Sequence, residues 1–189
     1  MIIKGDLYLD ESSIESLGKI KKVKGDLYLT NCKNLKDLGE LEITESYLNL
    51  ENCVNLISLG NLKKIKTMNL RWCKNLKDLG KLKILQEKNH PYVFDNLISL
   101  ESFELIKVNS SIYFENCVKL KSLGNLEEIN GSIRLVDCIN LKDLGKLRKV
   151  NQITINNKTG LTKEYIQTLS DKIRNKINNI DSFRNQFRS

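Results

Sequence analysis

Pairs of apolar residues separated by one position recur along this chain at nearly equal intervals. They are Leu7/Leu9, Leu27/Leu29, Leu48/Leu50, Met68/Leu70, Ile112/Phe114, Ile133/Leu135 and Ile153/Ile155. The steps between them are 20, 21, 20, 44, 21 and 20 residues, and the long step is two periods with a few residues added. A fixed period near twenty constrains a chain more than any composition does, because each unit is too short to bury its own apolar face. Stacked units bury it against one another. The period therefore predicts a solenoid of about eight coils of 20–22 residues, with one irregular coil at 85–108.

Within a coil the order is apolar-x-apolar-x-x-Cys-x-x-Leu-x-x-Leu-Gly-x-Leu-x-x-Ile/Val. Alternation with period two predicts a short strand with one buried face. The following leucines recur every third residue, as in Leu35, Leu38 and Leu41. That step suits a 3₁₀-like or extended return rather than an α-helix. Glycines 18, 39, 60, 80, 124 and 145 follow the second leucine of the run, where a bend is expected. The stacked strands are expected to form one parallel sheet.

The five cysteines, Cys32, Cys53, Cys73, Cys117 and Cys138, repeat with the coils, and Ser12 takes the place in the first. They read as one buried structural position and as reduced thiols, since no Cys-x-x-Cys occurs and His90 is the only histidine. Neither a metal site nor a cofactor is expected. The net charge is +8, but lysines are interleaved with acidic residues and no run of five or six like charges occurs. That pattern is a solvated surface and argues against nucleic acid as the partner. No apolar run is long enough for a membrane span, and the chain enters the repeat directly, so a cytoplasmic location is the expectation.

Leu27-Tyr-Leu-Thr-Asn-Cys-Lys-Asn-Leu35 resembles the strand half of leucine-rich repeats. The cadence Val23-Lys-Gly-Asp-Leu-Tyr-Leu29 is similar to receptor L-domain repeats and to short bacterial and phage leucine-rich proteins. The departure is upstream, where Gly5, Gly25 or Gly131 stands near the usual first leucine. The resemblance covers about residues 4–157. It implies an α/β repeat solenoid with the parallel sheet on a concave face, a mostly 3₁₀ or extended convex side, and ligand binding on the curved sheet.

Two stretches leave the pattern. In 85–108 the count from the preceding coil puts strand hydrophobes at Lys88 and His90, where they are absent. Pro91 removes a ladder donor. The segment Gln86–Phe94 reads as a loop bulging from the strand edge, either a neutral insertion or a binding loop. Leu97, Leu100 and Phe103 resume the leucine run, with Glu101 at the glycine position. After Ile155, Leu161, Tyr165, Leu169, Ile173, Ile177 and Ile180 form one stripe of an amphipathic helix, with Thr162 as N-cap. The chain thus divides into a solenoid, 1–160, and a C-terminal capping helix and tail, 161–189. Phe183 and Phe187 either fray or extend the stripe. An uncapped N-terminal edge would be a surface for a homodimer.

Residues between the buried strand positions point outward. That row is Tyr8, Tyr28, Asn49, Asn69, Tyr113, Arg134 and Thr154. The flanking row is Asp10, Thr30, Glu51, Arg71, Glu115, Val136 and Asn156. Trp72 replaces the Asn or Asp that precedes cysteine elsewhere. Aromatic and arginine residues on one face are the types that anchor protein interfaces. The expectation is a non-enzymatic scaffold that binds a protein through Tyr8, Tyr28, Asn49, Asn69, Arg71, Trp72, His90, Tyr92, Tyr113, Glu115 and Arg134. Arg71, Trp72, His90 and Tyr92 lie at its centre. No catalytic residues are expected. The alternative is a basic nucleic-acid-binding or self-associating structural protein.

Overall fold

The computed structural model describes residues 1–101 and 104–181. The chain is a parallel β-solenoid of about eight stacked coils with little helix. One side carries a nine-stranded parallel sheet whose spatial order is the chain order. Its strands are Leu7–Tyr8, Leu27–Tyr28, Tyr47–Asn49, Thr67–Asn69, Tyr92–Asp95, Ile112–Glu115, Ser132–Val136, Gln152–Ile155 and Ile177–Asn179. Equivalent residues face each other, as in Leu27 with Leu48 and Ile133 with Ile153. A second side carries two-residue strands in two separate sheets. Ile2–Ile3, Lys22–Val23 and Ile43–Thr44 form one, and Ile84–Leu85, Lys107–Val108 and Glu128–Ile129 form the other. A third side has only isolated parallel bridges such as Ser16 with Asp37. The return path is extended, and no 3₁₀ helix occurs among the described residues.

The leucines that recur every third residue enclose the column. Leu35, Leu38 and Leu41 are buried, and so are Leu56, Leu59 and Leu62 in the next coil. An extended chain with a turn at each corner sends every third residue inward, which is why the step is three. Gly39 turns one corner at φ +58°, and a Cβ there would lie 2.4 Å from the Gly18 carbonyl oxygen. Only glycine allows both the positive φ and the close stacking.

The cysteines are free, buried and aligned. The Sγ of Cys32, Cys53, Cys73 and Cys117 donates at 3.0 Å to the carbonyls of Leu9, Leu29, Leu50 and Phe94 in the preceding coil. Ser12 begins this column, with its Oγ 3.4 Å from Cys32 Sγ. Thr159 ends it, donating at 2.5 Å to Leu135 O. The repeat therefore extends past Ile155, with a hydroxyl in place of the thiol.

The irregular coil differs from expectation. Its strand is complete, and Tyr92 and Phe94 are the inward pair, opposite Ile112 and Phe114. The strand restarts four residues later than counting from the coil before suggests, and the extra residues form a loop ahead of it. Leu97 then takes the cysteine position, because Leu100 N bonds to Leu97 O as Leu76 N bonds to Cys73 O. Glu101 bonds to Lys77 O just as Lys77 bonds to Ile57 O. It aligns with Lys77, one residue past the leucine, and not with a glycine. Phe103 lies outside the described residues.

The expected long C-terminal helix is also corrected. Thr162 caps a helix, accepting from Tyr165 N at 3.1 Å, but the helix covers only Lys163–Thr168. A second covers Asp171–Arg174, and Ile177–Asn179 then joins the sheet beside Gln152–Ile155. Ser170 is extended and begins a new helix rather than continuing the first. Asn175, Asn178 and Asn179 are poor helix formers, and β-branched Ile177 fits opposite Ile153. Tyr165, Ile166, Leu169 and Ile177 pack on the core, and Tyr165 Oη accepts from Leu144 N at 2.8 Å. Phe183 and Phe187 lie outside the described residues.

Candidate functional site

The outward face of the large sheet is built by strand alternation. At its N-terminal end Tyr8 and Tyr28 stack, with ring centroids 5.0 Å apart and planes at 4°. Tyr47 meets Tyr28 edge-on at 6.0 Å. The hydroxyls of Tyr8 and Tyr28 donate to Asp6 and Asp26 at 3.2 and 3.0 Å. Those bonds to carboxylates hold both phenols above their ordinary pKa. Asp26 is held below its ordinary range by hydrogen bonds from Ser46 and from the Tyr47 N–H. Tyr47 was not among the expected site residues. It sits one period-two step before Asn49, on the same outward face, and alternation read one step earlier would have found it.

Further along, Asn49 Oδ1 accepts from Glu51 N at 3.1 Å, and Asn69 Oδ1 from Arg71 N at 3.0 Å. Asn69 Nδ2 donates to Glu51 at 2.9 Å. These two asparagines are engaged in holding the sheet face. Arg71 Nε lies 3.4 Å from Asp95 Oδ2, and Arg134 Nε 3.9 Å from Glu115 Oε2. Burial raises the Asp95 pKa, opposed by Arg71. Tyr113 neighbours Val93 and Arg134 across the ladder. Val136, expected to point outward, is buried.

Trp72 is held at φ +65°. The column it interrupts consists of Glu11, Asn31, Asn52, Asn96, Asn116 and Asp137, all with φ between 55° and 62°. Asn suits this left-handed region, and a bulky residue is strained there. The asparagines also bond to one another, Asn52 to Asn31 at 2.7 Å and Asn116 to Asn96 at 2.9 Å. Trp72 gives up that link and stays 44% exposed, with Lys74 Nζ 5.6 Å from its ring centroid.

Trp72 and Arg71 stand at the junction before the irregular coil. Both side walls of the solenoid weaken here. The large sheet pairs Asn69 with Val93, with one further bond from Trp72 N to Asp95 O at 3.2 Å, and the smaller ladder ends at the Ile43–Lys64 bridge and resumes at Ile84. The loop 86–91 rises from the gap. Glu87 Oε1 accepts from the N–H groups of Asn89 and Lys88 at 2.8 Å each, which holds its carboxyl below the ordinary range.

Tyr92 belongs to the support of this loop and not to the surface. It is fully buried, donates to Lys66 O at 2.7 Å and accepts from Glu87 N at 2.9 Å. Burial pushes its phenol up to about 12. The expectation that Tyr92 faces a partner is thereby corrected, because the late restart of the strand turns its ring inward. His90 and Pro91 remain exposed. With Tyr47, Asn69, Arg71 and Val93 they line a groove of about 430 Å³. The structure so brings Arg71 and His90 together, adds Tyr47, and leaves Tyr8 and Tyr28 at one end of the sheet.

Among the described residues no helix is long and apolar enough to cross a membrane. No group of three or more His, Cys, Asp or Glu among them could hold a metal ion. Comparison with protein-family models, with curated proteins and with solved structures finds no match to the chain.

Proposed function

We propose that the protein is a non-enzymatic interaction scaffold of the leucine-rich-repeat kind, working in the cytoplasm, whose outward sheet face is concave and binds a protein partner. Its C-terminal segment closes the apolar column. The contact centres on Arg71, Trp72, Tyr47 and the crest of the 86–91 loop, with Tyr113, Glu115 and Arg134 on its flank.

The observation that carries this reading is Trp72. An exposed indole at φ +65°, in a column otherwise filled by Asn, Asp and Glu, strains the backbone without filling the core. Such strain is retained where the side chain serves a contact outside the fold, and tryptophan is the residue type most enriched at interface hot spots. The test is Trp72→Asn, which restores the column. The variant is expected to unfold about 1 kcal/mol harder in urea, from relief of left-handed strain. It should also lose the proteins that the wild-type chain retains from an extract of its own cells. Retention of the same proteins by wild type and variant would refute the reading.

A further inference from the structure

The loop at the weakened junction has a groove on each side, and the two differ in chemistry. On the sheet side the groove of about 430 Å³ has the apolar surfaces of Tyr47, Met68, Pro91 and Val93. On the other side a groove of about 600 Å³ holds Lys64, Lys66 and Lys88. Its carboxylates are already engaged. Glu45 lies 2.5 Å from Lys22 Nζ, outside the groove, and Glu87 is bound by backbone N–H groups. Among the described residues no carboxylate lies within 4.0 Å of the three lysine ammonium groups. Elsewhere coil stacking sets lysine against glutamate, as in Lys36 with Glu15 at 2.7 Å and Lys63 with Glu42 at 2.8 Å. Thr67 and His90 line both grooves, so the two meet along the loop.

From this we propose that the junction binds an extended acidic peptide segment of a partner protein. One apolar side chain of that segment enters the Tyr47–Pro91–Val93 side, and its carboxylates face Lys64, Lys66 and Lys88 across the loop. The proposal rests on the protein-binding reading above and names the partner's chemistry. Charge complementarity selects it. The lysine groove has three ammonium groups without an ion-pair partner to meet carboxylates, while the neighbouring slot offers apolar surface to a hydrocarbon side chain and its Arg71 is held by Asp95.

The experiment is fluorescence anisotropy of a short labelled peptide carrying a run of aspartate and glutamate beside a single leucine, titrated with the full chain near physiological salt. Binding is expected, with a loss of about tenfold or more when Lys64, Lys66 and Lys88 are all changed to Glu. Changing Lys121, Lys146 and Lys163 to Glu applies the same change in net charge elsewhere and should cost about twofold or less. Replacing the peptide's leucine by asparagine should weaken binding about tenfold, as for removal of an apolar anchor worth about 1.4 kcal/mol. Equal losses in the two charge variants would overturn the proposal, and so would indifference to the leucine. A DNA oligonucleotide of equal charge that outcompetes the peptide would assign the groove to nucleic acid. Absence of peptide binding, with Trp72-dependent retention of proteins intact, would reject the acidic segment and leave the scaffold reading standing.

Discussion

Thr44 is the one buried side chain among the described residues whose polar atom has no hydrogen-bond partner. It stands opposite Val23, in a column continued by Ile65, Leu85, Val108 and Ile129. A buried hydroxyl without a partner carries its full desolvation cost, and valine has the same shape without the hydroxyl. Thr44→Val should therefore raise the unfolding free energy by about 1–2 kcal/mol in urea. An unchanged or lower midpoint would mean that the hydroxyl is satisfied after all. Several single residues are legible in the sequence alone, because repetition shows what a position requires. Cys32 is a core residue because four copies occupy its place, and Trp72 stands out because asparagine surrounds it in register. Tyr47 is harder to see: alternation read one step earlier reaches it, but the coils before it carry aspartate at that position.

At the scale of elements, periodicity read the strands well and the C-terminal segment poorly. Apolar residues four apart from Leu161 to Ile177 fit one long helix, yet Ile173 and Ile177 serve a short helix and a strand. What decides the outcome is the open edge of Gln152–Ile155, whose backbone groups are satisfied by a ninth strand and not by a helix. An apolar stripe does not report that demand. The irregular coil failed for a different reason. Counting forward cannot place an insertion, although Tyr92-Val-Phe94 carries the alternation that the strand needs. The short helix Lys163–Thr168 is tied to the solenoid by Tyr165, whose hydroxyl accepts the Leu144 N–H. Burial raises the pKa of that phenol, so it is neutral at ordinary pH and its lone pair serves the amide. Tyr165→Phe removes the acceptor and keeps the ring. It should lower the unfolding free energy by about 1 kcal/mol in a urea titration, and equal midpoints for variant and wild type would show the bond to be dispensable.

Across the whole molecule the thiol column recurs in five coils, and it makes stability depend on alkaline pH. Burial pushes Cys53 from the ordinary 9.0 up to about 12, and raises Cys73 for the same reason. Cys117 is raised by its hydrogen bond with Cys138 and by burial. In the unfolded chain these thiols regain ordinary values and release their protons near pH 9. Above that pH the native state holds more protons than the unfolded state, so stability falls as pH rises. The contribution is complete below about pH 9 and for Cys53 is lost progressively toward about 12. Each such group removes about 1.4 kcal/mol per pH unit inside the window. Tyr92 joins from about pH 10, its own raised value being about 12. Because stacked coils share one continuous core, a cost placed at several points along the column is felt by the cooperative transition of the whole chain. Urea midpoints measured under reducing conditions should be level below about pH 8 and decline from about pH 9. The same series on Cys53→Ala/Cys73→Ala should start lower, because of the lost packing, and decline less steeply. The two proteins share every other ionisable group, so the difference in slope between about pH 9 and pH 10 isolates the thiols. Parallel declines in the two proteins would show that the column does not set the alkaline limit.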